Sequence, residues 1–93
     1  MTGAPLVEVY TRQGCGLCAL AEQRVAREAR RARVVRRDVD ADETLAARYG
    51  VRVPVVVIDG REVAELELAP GTVRRAVRAA RRARRHGHDP GAR

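Results

Sequence analysis

Phenylalanine, tryptophan, lysine, serine and asparagine are all missing from this 93-residue chain. Without Phe or Trp, any core has to be built from Val, Leu, Ile and Ala. Hydrophobic residues make up 45% of the chain, enough for one modest domain and no more. Long apolar runs are missing too. The longest, Val53–Ile58, has six residues, against the roughly 20 that a membrane-crossing helix requires. No segment resembles a secretory signal, since Met1–Pro5 has no basic residue and Glu8 breaks the apolar run that starts at Leu6. A cytoplasmic setting with no membrane partner is therefore the expectation. In a reducing cytosol, paired cysteines are more often catalytic or metal-binding than structural.

Every basic residue is Arg, and the formal net charge is +7. That excess is local. Residues 1–67 hold 11 Arg against 11 Asp and Glu, whereas residues 68–93 hold 8 Arg against Asp89 alone. Arg74, Arg75, Arg78, Arg81, Arg82, Arg84 and Arg85 place seven arginines within twelve residues. Such a segment suits nucleic acid, an anionic membrane or an acidic partner. A solvated helix face in an Arg-biased chain is the favoured reading. With no aromatic side chain in the segment for base stacking, and no recognition motif, nucleic acid is not the expected partner.

Periodicity supplies the elements. Leu6–Thr11 alternates as a strand. A helical pattern runs from Leu17 to about Ala32, with Cys18, Ala21, Val25, Ala29 and Ala32 on its apolar face and Glu28 among the polar residues covering the rest. Val34–Val39 reads as a second strand, and Asp40 or Asp42 can cap a short helix through Tyr49. Gly50 is expected to close that helix in the left-handed conformation. Val55–Ile58 and Arg61–Glu65 flank Asp59-Gly60, a hairpin signal because both turn residues want positive φ. Ala69-Pro70 opens a last helix. The order β-α-β-α-β-β-α predicts an α/β fold whose first unit is a parallel pair and whose hairpin adds an antiparallel edge. Residues 1–85 form the domain, and residues 86–93 read as a disordered basic tail.

Cys15-Gly16-Leu17-Cys18 carries the chemistry. Two cysteines three apart at a helix start can bring their sulfurs together with little backbone movement. Free N–H groups and the positive dipole end favour a thiolate at Cys15, and the thiolate is the attacking species in exchange. Cys15 on the turn is the expected nucleophile, with Cys18, one turn in, resolving. Other readings stay open at this point. The pair could be half of a zinc site completed by His86 and His88, two inert core thiols, or a ligand set for an iron–sulfur cluster shared by two copies. A redox-linked binding module and a basic-helix module without redox chemistry are the alternatives to an oxidoreductase.

Val9–Cys18, Arg52-Val53-Pro54 and the hairpin at Asp59-Gly60 together resemble the glutaredoxins, and more narrowly the short bacterial glutaredoxin-like proteins. The resemblance covers about residues 5–85 and includes a Val-Pro some 36 residues after the second cysteine. It implies a thioredoxin-like fold of glutaredoxin type, a four-stranded mixed sheet flanked by three helices. It implies dithiol oxidoreductase activity, with no cofactor and no metal. Pro54 would be cis and face the cysteines, and the Val53 backbone would pair with an extended substrate. Arg12, three before Cys15, would favour the thiolate and attract an anionic thiol. Together with Gly16 and Leu17, these residues make up the implied substrate site. The chain departs from the family in two places. Gly-Leu replaces the usual Pro-Tyr between the cysteines, and Ala64-Glu65-Leu66-Glu67-Leu68 stands where a Gly-Gly and an acidic pair hold glutathione. Glutathione is disfavoured on that ground. The expected substrate is a disulfide-bearing protein or another low-molecular-weight thiol, re-reduced by a thiol or a reductase.

Overall fold

The computed structural model describes residues 3–85. Its elements are β1 (Leu6–Thr11), α1 (Gly16–Glu28), β2 (Arg33–Asp38), a 3-10 turn (Val39–Ala41), α2 (Glu43–Tyr49), β3 (Val55–Ile58), β4 (Arg61–Glu65) and α3 (Thr72–Arg85). The strands form one mixed sheet in the order β2-β1-β3-β4. β1 pairs with β2 in parallel, whereas β1–β3 and β3–β4 are antiparallel. This is the α/β, thioredoxin-like architecture the residue pattern and the resemblance imply.

β1 alternates because its two faces meet different neighbours. Val7 and Val9 point to one side, where Val56 and Ile58 of β3, Val25 and Ala29 of α1, and Val73 and Val77 of α3 close an aliphatic core. Tyr10 points to the other side, into a cluster with Cys18, Val39, Tyr49, Val53, Val55 and Val57. β3 is buried on both faces, so its sequence is continuously apolar. Asp59 and Gly60 have φ of 48° and 84°, the positive values a tight hairpin turn needs.

Several element ends differ from the sequence expectation. α1 stops at Glu28, not near Ala32. The N–H of Ala29 still bonds Val25, but Arg31 then turns to φ 63° and β2 starts at Arg33. Ala and Arg favour helix. Here the parallel pairing, with the Arg33 N–H donated to the Pro5 carbonyl, overrides that preference. Gly50 is right-handed, at φ −52° and ψ −39°. What matters there is space: a Cβ would collide with the Ala46 backbone carbonyl oxygen and come within 3.2 Å of the Arg12 Nη2. α3 starts at Thr72, after Pro70 and Gly71 have formed a turn, with Gly71 at φ 87°.

Glu28 explains where α3 begins. The helical pattern puts it on the solvated side of α1, yet it is buried. Its carboxylate accepts the N–H groups of Gly71 at 2.9 Å and Arg74 at 3.1 Å. α3 has no acidic residue in its own first turn, so α1 supplies the acceptor that its exposed N–H groups need. Burial by itself would raise the Glu28 pKa. The two N–H donors and the Arg24 guanidinium outweigh that and hold the carboxyl below its ordinary value. The basic tail expected at 86–93 lies outside the described residues.

Candidate redox site

The loop from β1 to α1 brings the two cysteines to the end of the sheet. Gly14 takes φ 75° in that loop, which suits glycine. Cys15 is the N-cap of α1, in extended conformation at φ −97° and ψ 112°. Its sulfur accepts the Cys18 N–H at 3.1 Å, as a Ser or Asp oxygen does in an ordinary cap. Its carbonyl accepts the Ala19 N–H, also at 3.1 Å. Cys15 and Cys18 are joined as a disulfide with their Cα atoms 5.2 Å apart. Cys18 is buried at 1% exposure, whereas Cys15 is partly open to solvent. Gly16 and Leu17 are both exposed between them.

Val53 lies in the apolar cluster that holds Cys18, and Cys15 packs against the same cluster. The Val53–Pro54 peptide is cis, and Pro54 is fully buried. The Pro54 carbonyl accepts the Leu66 N–H at 2.8 Å. Among the described residues, no hydrogen bond engages the Val53 backbone N–H or carbonyl. The structure thus brings Cys15, Cys18 and Val53 together, with Gly16 and Leu17 between the cysteines and Pro54 behind Val53.

Arg12 stands in the loop between β1 and Cys15. It forms a two-pronged ion pair with Asp40, Nε at 2.9 Å and Nη2 at 3.1 Å, and its Nη1 donates to the Gly50 carbonyl at 3.0 Å. Among the described residues it makes no hydrogen bond to either sulfur. The Arg12 hydrogen bond, aided by its charge, holds the Asp40 carboxyl below the usual carboxylate range. Arg12 therefore ties the loop before Cys15 to the 3-10 turn and to the end of α2.

Two further features were not assigned from the sequence. Arg52 donates to Glu62 at 2.8 Å, to Glu65 at 3.2 Å and to the Arg48 carbonyl at 3.0 Å. It fastens the segment before Val53 to β4. Both carboxylates lie ten or more residues away, so only the hairpin reveals the partnership. The rings of Tyr10 and Tyr49 stack at 4.1 Å, and the Arg48 and Arg52 guanidinium groups approach Tyr49 at 5.3 and 5.5 Å. The Thr11 hydroxyl at the end of β1 is buried with no partner among the described residues. Also among the described residues, no group of three or more His, Cys, Asp or Glu side chains is arranged to hold a metal ion, and no helix is long and apolar enough to cross a membrane.

Comparison with known proteins agrees with this geometry. The X-ray structure of the target protein XcR50 from X. campestris superposes with a TM-score of 0.68 at 30% identity, covering 78% of this chain and 96% of that one. The solution structure of Ne2328 from Nitrosomonas europaea gives a TM-score of 0.62 at 28% identity, over 82% and 93% of the two chains. A mutant thioredoxin from Halobacterium salinarum gives 0.62 at 28% identity, over 83% and 74%. No curated protein matches the chain. A disulfide-forming CxxC pair on a thioredoxin-like fold supports thiol–disulfide redox chemistry. The family model described as "Glutaredoxin-like domain (DUF836)" matches residues 6–78, and over that span of sheet, helices and cysteine pair the chain belongs to this glutaredoxin-like family.

Proposed function

We propose that this protein is a thiol–disulfide oxidoreductase that reduces disulfides, with Cys15 as the nucleophile and Cys18 as the resolving thiol. The carrying observation is the asymmetry of the pair: one sulfur is partly open and accepts an N–H at a helix start, while the other is buried one turn away. In the reduced protein the same N–H and the dipole end of α1 favour ionised sulfur at Cys15.

The exchange balances as follows. The Cys15 thiolate attacks one sulfur of the substrate disulfide, forming a mixed disulfide and expelling the other substrate sulfur as thiolate. The Cys18 sulfur, having given up its proton to solvent, then attacks Cys15. The Cys15–substrate bond breaks and the second substrate thiolate leaves. Two electrons have passed to the substrate, and the Cys15–Cys18 disulfide remains. An external thiol or a reductase returns two electrons to close the cycle. This direction suits a reducing cytoplasm.

The Val53 backbone offers an unpaired N–H and carbonyl beside the cysteines, which an extended substrate strand can use. Gly16 leaves open space at the same edge, since a Cβ there would meet nothing within 4 Å. Leu17 supplies apolar contact, and Pro54 and Arg12 hold the surrounding loops. The substrate is a disulfide-bearing protein or a disulfide of a low-molecular-weight thiol, with glutathione disfavoured by the stretch Ala64–Leu68.

Trapping tests this reading. A Cys18→Ser variant should accumulate a mixed disulfide at Cys15 with a model disulfide, resolved by mass spectrometry, while Cys15→Ser should trap far less. Equal trapping by the two variants would overturn the assigned roles.

A further inference from the structure

From the sequence, the arginines of α3 read as a solvated face. The structure gives that face a neighbour and leaves it without counter-charge. Arg74, Arg78, Arg82 and Arg85 follow one another at intervals of four, four and three residues. They form one row along α3, with steps of about 6, 6 and 4.5 Å along its axis. All four are exposed. Val73 and Val77 are buried on the side turned to the sheet, so the row faces away from the core. Arg81 donates to the Arg30 carbonyl at 3.0 Å, which sets the exposed Arg30 and Arg31 beside the helix.

α3 contains no Asp or Glu. Glu28, the acidic residue against its start, is buried and held by the N–H groups of Gly71 and Arg74 and by Arg24. Among the described residues, none of Arg30, Arg31, Arg74, Arg78, Arg82 and Arg85 forms an ion pair. Arg84 differs, since it turns to Asp59 in the hairpin at 2.8 Å. Glu67 shares a groove with Arg24 and Arg27, so those two arginines are not part of the face. The exposed acids Asp40, Asp42 and Glu43 sit around the 3-10 turn and the start of α2, across the sheet. Arg74 with Arg78, and Arg78 with Arg82, are like-charge pairs four residues apart, and each such pair weakens a helix. A line of bound negative charge would turn that repulsion into attraction.

We infer that the α3 face binds the phosphate backbone of duplex nucleic acid without reading its sequence. Three features select that partner. A guanidinium grips two phosphate oxygens at once, and regular steps of about 6 Å suit a regular line of phosphates. The segment has no aromatic side chain, which excludes stacking on unpaired bases but not contact with phosphates. Both valines of α3 are in the core, so the helix keeps no large apolar side chain to insert among lipids. The face also lies away from the cysteines. Cys15 caps the first turn of α1 and Arg30 follows its last, with about 20 Å of helix between them. The inference is therefore independent of the oxidoreductase reading.

Fluorescence anisotropy of the full chain, with labelled DNA and RNA duplexes of two unrelated sequences, tests it. The two sequences should bind alike at low salt. A plot of log Kd against log salt should have a slope of about 4, near one released counterion per arginine of the row. The tighter of the DNA and RNA duplexes names the nucleic acid. Arg78→Gln with Arg82→Gln removes two exposed charges without touching the core. It should weaken binding by about tenfold and lower the slope by about two. Arg48→Gln, on α2 across the sheet, should change neither. Poly-glutamate and phosphatidylserine vesicles at equal charge should compete less well than unlabelled duplex. Four results would overturn the inference: no binding to either duplex at low salt, binding indifferent to salt, unchanged affinity in the double variant, or a tighter hold on poly-glutamate or vesicles. A preference of more than about tenfold between the two sequences would do so as well, because phosphates carry no sequence.

Discussion

The two faces of the sheet are built differently. On one, Val7, Val9, Val56 and Ile58 are covered by Val25 and Ala29 of α1 and by Val73 and Val77 of α3, all of them aliphatic. On the other, the cover is the seven-residue α2 and a 3-10 turn, and the cluster includes both tyrosines and Cys18. The first face has two helices of 13 and 14 residues to bury it. The second relies on arginines, with Arg12 and Arg52 tying its loops together through carboxylates and carbonyls. The aliphatic face has the longer helical cover, and the cysteine pair lies at the edge of the other.

The largest test of that division is Val73→Asp. Val73 is completely buried, and an unpaired carboxylate there should cost about 4 kcal/mol or more, enough to prevent folding of a small domain. Tyr49→Leu on the other face should leave a folded protein by circular dichroism. If both variants unfolded alike, the contrast between the faces would fail.

A middle-sized effect is expected from Glu28→Gln. The substitution keeps the shape but weakens the acceptor for Gly71 and Arg74, at about 1–3 kcal/mol in urea denaturation. The sign of the pH dependence follows from the direction of the shift. A carboxyl held below its ordinary value in the folded state contributes fully above the pH at which it ionises in the unfolded chain. That contribution is lost as pH falls through the lower, folded value. The wild-type protein should thus lose part of its stability on acidification, and the Gln variant should lose less over the same range.

The smallest effect on stability should come from Arg52→Ala on the reactive side. The guanidinium is only partly covered, and its ion pairs to Glu62 and Glu65 are screened by solvent. The denaturation midpoint should move little. The rate of mixed-disulfide formation should nonetheless fall by roughly tenfold, because the segment before Val53 loses its tether to β4. A change in midpoint without a change in rate would mean that Arg52 is merely structural.

Much of the fold can be read from local pattern. The alternation of Leu6–Thr11, the apolar run Val55–Ile58 and the Asp59-Gly60 turn are signals contained within a few residues, and each corresponds to an observed element. Cys15 and Cys18 are legible for the same reason, since strand, turn and helix start lie close together in the chain. What escapes depends on partners distant in sequence. Glu28 looks like a surface residue until α3, more than 40 residues later, presents its N–H groups. Arg12 shows nothing in its own neighbourhood of its partner Asp40, which lies 28 residues on. The early end of α1 reflects the pull of a parallel strand pairing on residues that would otherwise continue a helix. Gly50 looks like a conformational device and is a matter of clearance, first for the Ala46 carbonyl and then for the Arg12 guanidinium.

The stacked tyrosine pair has an optical consequence. With no tryptophan in the chain, its near-ultraviolet emission comes from Tyr10 and Tyr49 alone. Both rings belong to the cluster that contains Cys18. Opening the sulfur–sulfur bond should therefore change tyrosine emission, giving a spectroscopic readout of oxidation state.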